Sequence, residues 1–267
     1  MLTFTVPVVL ADDFWITKEP IRQARAGLGV AEADGKIYAI GEHASGLRNN
    51  NGILDNNEEY SPATGKWFYS NIIPKPRSYL GIVVVDNKIY CIGGWTENNE
   101  TSVNEVYDPA TGTWETRTSM LTPRHCIEAN AVNGKIYVSG GRPTTNMTEV
   151  YDPATNSWTT ETPKPYAVSY YASSVVNNKI YIIGGQGTEE GLTQIYDPQT
   201  GTWRLGAQLQ YRTYFAAAAA TTGAATQKRI YVLGGTGAGT PHGANQIYTQ
   251  KTTAGQRAHP CPHHEST

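Results

Sequence analysis

One short phrase, written five times, constrains this chain more than any other feature. KIYAIGE (36–42), KIYCIGG (88–94), KIYVSGG (135–141), KIYIIGG (179–185) and RIYVLGG (229–235) recur at intervals of 52, 47, 44 and 50 residues. Periods of this length mark arrays of one supersecondary unit. Each copy is preceded by a run of small or β-branched residues (GLGVAEA, LGIVVV, IEANAV, YASSVV, AAAAATT) and followed, after a polar loop, by EEYSPATGKW, EVYDPATGTW, EVYDPATNSW, QIYDPQTGTW or QIYTQKTT. One unit therefore reads as four strands. Strand a is the small-residue run, strand b the KIYxIGG phrase, strand c the EVYDP segment, and strand d starts at the Trp. The pairs DG, DN, NG and NN before the Lys tolerate the positive φ of a tight a–b hairpin. In DPATG the Asp caps the c–d turn, Pro presets φ and Gly accepts φ > 0. The alanines 216–220 fall in register with strand a, not in a helix.

A double glycine, then a Tyr on strand c, then a Trp on strand d, in that order four times over, resembles the kelch family of β-propellers. The resemblance covers about 14–249. It implies an all-β, five-bladed propeller of four-stranded antiparallel blades, with paired glycines such as Gly93 and Gly94 making room for the Tyr and Trp rings. Glu42 departs from the second-glycine pattern, and looser packing is expected there. The fifth unit has strands a, b and c but no Trp strand, while DDFWITKEPIRQAR (12–25) has a Trp without the strands before it. The strand around Trp15 is expected to pair with the last blade and close the ring. A sixth blade outside this sequence is the alternative. The expected organisation is 1–11 as a signal remnant or edge segment, 12–250 as the propeller and 251–267 as a disordered tail.

Bulk chemistry narrows the partners. A net charge of −2 argues against a nucleic-acid binder. No apolar run is long enough for a transmembrane segment. Three cysteines without regular spacing point to free thiols, with Cys91 and Cys126 buried in strand patterns. The opening MLTFTVPVVLADD resembles the end of a secretory signal without its basic start, so a secreted or cell-surface protein is expected, with a cytoplasmic one as the alternative. Sequons at Asn99 and Asn146 suit surface loops, and a monomer is expected.

In a four-stranded meander the d–a and b–c connections share one face, and here that face is the variable one. Counting ten residues from each Trp gives Arg25, Arg77, Arg124 and Val168, and nine from Trp203 gives Arg212. Two residues further stand Gly27, Tyr79, Cys126, Tyr170 and Tyr214, on the side that opens onto the central channel in propellers of this type. Arg25, Arg77, Tyr79, Arg124, Tyr170, Arg212 and Tyr214 are thus the candidate ligand-binding set, suited to an acidic peptide, a carboxylated sugar or a phosphorylated partner. The competing reading gives each Arg a repeated structural role on carbonyls of the adjacent blade. The glutamates that open strand c (Glu59, Glu105, Glu149) read as structural by repetition. His43, His125 and His242 do not reproduce the copper site of galactose oxidase, and no iron-binding pattern like that of nitrile-specifier proteins occurs. No cofactor or metal is expected, and the His/Cys tail (His259, Cys261, His263, His264) reads as disordered. The expected function is a non-catalytic module binding a protein or glycan through the variable face. The alternative is a sugar isomerase, mutarotase or hydrolase at the channel mouth, needing a carboxylate or His there; Glu100, Glu189, Glu190 and His242 are the loop groups in view.

Overall fold

Hairpins form where the sequence places residues that accept positive φ. Both central residues of the a–b turns are left-handed, as at Asp34 and Gly35 (φ 52° and 69°) and at Asn177 and Asn178 (51° and 57°). This twist matches that of the strands they join. In the computed structural model, which describes residues 17–43, 53–187, 189–221, 228–237, 240–241 and 243–249, these hairpins build five antiparallel sheets in chain order.

The first blade contains Gly29–Ala33, Lys36–His43, Ile53–Ser61 and Lys66–Tyr69; the second, Gly81–Val85, Lys88–Ile92, Asn104–Asp108 and Thr113–Arg117. The third contains Ala129–Val132, Lys135–Ser139, Thr148–Asp152 and Ser157–Glu161; the fourth, Ala172–Val176, Lys179–Ile183, Thr193–Asp197 and Thr202–Leu205. The fifth shows three strands among the described residues, Ala217–Ala220, Arg229–Leu233 and Asn245–Thr249. The alanine run is a strand, as its register requires.

Cross-strand register places each strand-c Tyr opposite the strand-d Trp: Tyr60 with Trp67, Tyr107 with Trp114, Tyr151 with Trp158 and Tyr196 with Trp203. Their tilted rings lie 4.9–5.2 Å apart. The core is divided into four clusters, one between each pair of successive blades; Tyr90 and Ile92, for example, meet Ile136, Val138 and Tyr151. The turn aspartates serve twice. Asp108 accepts from Ala110 N–H (3.0 Å) and pairs with Lys88 across the blade (2.8 Å), so the Lys of KIY and the Asp of YDP are one device. That lysine is the chief cause holding the Asp108 carboxyl below its ordinary range.

The paired glycines work differently from the sequence expectation. A Cβ at Gly93 would lie 2.5 Å from the carbonyl oxygen of Arg124, and one at Gly94 2.9 Å from that of Ser78. Gly94 N–H donates to Arg124 O (2.8 Å), joining the second blade to the third. Backbone, not aromatic rings, fills the space that a side chain would take. At Glu42 the packing is not simply looser. The register shifts between Ile40 and Glu42, and strand b runs on to His43 in a longer hairpin with Ile53–Ser61.

Trp15 lies outside the described residues. The register of residues that follow it is informative. Three strand-d Trp residues donate their Nε1–H to a carbonyl of the preceding blade, Trp114 to Asn71 (2.7 Å), Trp158 to Thr118 (2.7 Å) and Trp203 to Thr162 (2.8 Å), and Trp67 donates in the same way to Glu19 (2.9 Å). Asn71, Thr118 and Thr162 stand four residues after a Trp, and Glu19 stands four after Trp15.

Candidate functional site at the channel mouth

The segment leading into each strand a contains one residue in the left-handed region at the same structural position: Gly27, Tyr79, Cys126, Tyr170 and Phe215, with φ between 51° and 69°. Backbone hydrogen bonds run from blade to blade through these residues. Tyr79 N–H donates to Gly27 O (2.9 Å), Cys126 to Tyr79 (2.8 Å), Tyr170 to Cys126 (3.5 Å) and Phe215 to Tyr170 (3.0 Å). Holding four non-glycine residues at positive φ costs about 1–2 kcal/mol each, and strain of this kind concentrates at functional sites.

The relay carries a collar of aromatic side chains. Phe215 is 56% exposed and Tyr79 36%, while Tyr170 is half-buried and its ring lies 4.3 Å from that of Phe215. One residue earlier in each segment the chain bridges to the residue after the glycine pair: Ser78 to Trp95, His125 to Arg142, Ser169 to Gln186 and Tyr214 to Thr236. These bridges extend the surface outward. Trp95 packs against His125 (4.9 Å), and the Arg142 guanidinium sits 5.7 Å over the Tyr170 ring. Burial lowers the His125 pKa.

Inside the collar is a cavity of about 250 Å³, lined by Leu28, Tyr79, Cys126, Glu128, Tyr170 and Phe215 among others. Glu128 is anomalous for its place. The same position of strand a holds Gly29, Gly81, Ala172 and Ala217 in the other blades. Glu128 is an exposed residue, yet protein atoms crowd its carboxyl, and that desolvation alone raises it to about 7. Burial likewise pushes Cys126 up to about 11 and Tyr170 to about 12.

The arginines do not open onto this mouth. Arg25, Arg77 and Arg124 lie within their blades, side chains 0–2% exposed, paired with Glu58 (2.8 Å), Glu105 (2.5 Å) and Glu149 (3.1 Å). Each also donates to a strand-b carbonyl or one just beyond it: Ala39, Cys91 or Gly140. They leave the ligand-binding set because their charges are neutralised inside the protein. In the first blade the partner is Glu58, not Glu59, which pairs instead with Lys36 (3.0 Å).

Where the Arg is absent the Glu is absent too. Val168 and Gln194 occupy these places in the fourth blade, Thr213 and Gln246 in the fifth. Gln194 accepts from Tyr166 N–H (2.9 Å) and donates to its carbonyl, and Gln246 repeats this with Tyr211. Thr213, ten residues after Trp203, is thus the fifth-blade equivalent. Arg212 is one residue out of register, 66% exposed and 3.9 Å from Glu190. Tyr214 is correspondingly a bridge residue, its ring 5.5 Å from Phe215, and Phe215 takes the collar position. Of the seven candidates, Tyr79 and Tyr170 lie in the collar, with Tyr214 beside it.

Sequence reasoning passed over Trp95, Arg142, Phe215 and Glu128. The signals were present: the residue after each glycine pair varies freely, and Glu128 is a charge within a run of small side chains.

The sequence profile described as the KLHDC2/KLHL20/DRC7 Kelch-repeats domain matches residues 17–185 and 81–256. Kelch-like protein 28 of Homo sapiens is 32% identical over 87 residues, 32% of this chain and 15% of that protein. Kelch-like ECH-associated protein 1A of Danio rerio is 30% identical over 82 residues, 30% of this chain and 13% of that protein. Influenza virus NS1A-binding protein of Homo sapiens is 33% identical over 75 residues, 28% and 11% of the two. The match spans only 11–15% of the length of these curated relatives. The solved structure of YjhT superposes with a TM-score of 0.78 at 16% identity, covering 91% of this chain and 87% of that one, a likeness of fold. Repeats, blades and profile agree: the chain belongs to the kelch-repeat β-propeller family.

Proposed function

We propose that this chain is a protein-binding module whose binding surface is the channel-mouth face, centred on the collar of Tyr79, Cys126, Tyr170 and Phe215. The observation that carries this reading is the strained, five-fold backbone relay that holds exposed aromatic rings around one opening. Exposed aromatics on a rigid frame supply large contact area at low entropic cost. Among the described residues, the turns of the opposite face are short, polar and repeated from blade to blade. Relatives named for a protein partner, such as the influenza virus NS1A-binding protein, support the same reading by family.

One observation favours the sugar-active alternative. Glu128, with a carboxyl near 7, is placed as a general acid or base could be. It stands without a second Asp, Glu, His, Lys or Arg among the residues lining the cavity, so the lining supplies a proton site and no charged partner.

The test uses a partner captured by cross-linking and identified by mass spectrometry, then titrated against three proteins. Replacing Tyr79 and Phe215 together by Ala should weaken binding by about 2–4 kcal/mol, the range of central aromatic anchors. Replacing Thr111 and Thr200 on the opposite turns should leave it unchanged. Loss of binding in the turn variant with retention in the collar variant would place the surface on the other face.

A further inference from the structure

The mouth has a charge character opposite to the one its sequence implied. With Arg25, Arg77 and Arg124 paired internally, the cavity lining contains no cation and one carboxylate, Glu128. Among the described residues that carboxylate makes no side-chain hydrogen bond and no ion pair. Strand a, the innermost, elsewhere has glycine or alanine at this position, so the fold does not need a Glu there. A carboxylate crowded by protein without a partner is costly, and Glu128 lines the same cavity as Tyr79, Tyr170 and Phe215. Aromatic faces carry negative quadrupole charge and attract cations. The collar already demonstrates this with the protein's own guanidinium, since Arg142 seats over the Tyr170 ring.

Resting on the reading of the mouth as a protein-binding surface, we propose that the cavity receives a basic side chain, lysine or arginine, from the bound segment. The Tyr79–Tyr170–Phe215 collar surrounds its stem and Glu128 is its counter-ion. A cavity of about 250 Å³ suits a single long side chain rather than a folded ligand. Glu128 is the only carboxylate, and the only Asp, Glu, His, Lys or Arg, lining the cavity. Tyr171 from the fourth blade accepts a hydrogen bond from Glu128 N–H (3.2 Å), and burial raises the pKa values of Tyr171, Tyr170 and Cys126. Arg142 does not line the cavity, and desolvation is the sole cause of the Glu128 shift.

The probes are the blocked tripeptides Ac-Gly-Lys-Gly-NH2, Ac-Gly-Arg-Gly-NH2, the citrulline analogue and Ac-Gly-Glu-Gly-NH2. Each is titrated into the full chain while the ring signals of labelled Tyr and Phe are followed by NMR. The Lys and Arg peptides should shift the Tyr79, Tyr170 and Phe215 rings, and bind about tenfold more tightly than the citrulline and Glu peptides. Glu128→Gln, close to isosteric, should remove that preference while the protein melts cooperatively. In the wild type the preference should fall as pH drops from about 8 to about 6, and in Glu128→Gln it should be flat.

The proposal is overturned if the Glu peptide binds as well as the basic ones, if Glu128→Gln keeps the preference, or if no peptide moves the collar rings at about 10 mM. These results leave the protein-binding reading standing on its own titration. If instead the captured partner ignores the collar substitutions while the basic peptides bind, the partner reading fails and the cation site remains.

Discussion

Glu128 shows how one residue can oppose the fold that carries it. Although the residue is exposed, crowding by protein atoms disfavours the charge and pushes its carboxyl up to about 7 from the ordinary 4.5. Below about pH 4.5 the group is protonated in both folded and unfolded chains and contributes nothing. As pH rises through the interval up to about 7, the unfolded chain releases its proton first. This group's contribution to stability therefore falls across that window and stays low above it. Glu128→Gln should consequently raise the melting temperature at pH 8 and leave it unchanged near pH 4, read by calorimetry at both values. Equal melting of the two proteins at pH 8 would mean the carboxylate is well solvated and the cavity wet. The charge in IEANAV was visible in the sequence but easily passed over, because the other members satisfy strand a and a lone Glu in a repeat resembles a solvated position.

Within a blade, the Arg and Glu form a unit joining the d–a segment to strand c. Removing one partner strands the other in the interior, whereas replacing both need not. The chain makes that replacement itself with Val168 and Gln194. Arg77→Val should therefore cost about 3–5 kcal/mol in urea unfolding, and the double change Arg77→Val, Glu105→Gln markedly less. A single variant as stable as wild type would remove the structural assignment. Legibility divides along the same line. Strands, turns and the Tyr–Trp pairing were readable because they depend on local period and on residues such as Asp, Asn and Gly that fix φ. The direction of an arginine depends on which strand lies beside it. Composition cannot show that, although the joint loss of Arg and Glu in the fourth and fifth units could have. A count of nine instead of ten after Trp203 moved the fifth-blade site by one residue, and in a strand one residue reverses the side presented. That slip exchanged Phe215 for Tyr214.

At the scale of the whole molecule, the collar is a property of the ring and not of any blade. Its hydrogen bonds pass from Gly27 through to Phe215, each from a different blade. The last blade is therefore critical. Its strand Asn245–Thr249 is the outermost described strand, and a cavity of about 550 Å³ beside it is lined by Ala207, Leu209, Tyr211, Gln246 and Tyr248. Tyr248 is the one strand-c Tyr of the series without a described Trp opposite it. Ala207 stands four residues after Trp203, where the other blades offer the carbonyl that accepts from the next Trp. The sequence leads to the expectation that the strand around Trp15 fills this place, and the Glu19–Trp67 hydrogen bond continues the same four-residue spacing. Replacing Trp15 by Ala and following urea unfolding of the full chain is the most direct check. A ring closed by this strand predicts a loss of about 3–5 kcal/mol, as for other buried Trp→Ala changes, together with loss of partner binding at the collar as the ring loosens. Unfolding at the wild-type urea concentration, with binding intact, would contradict it.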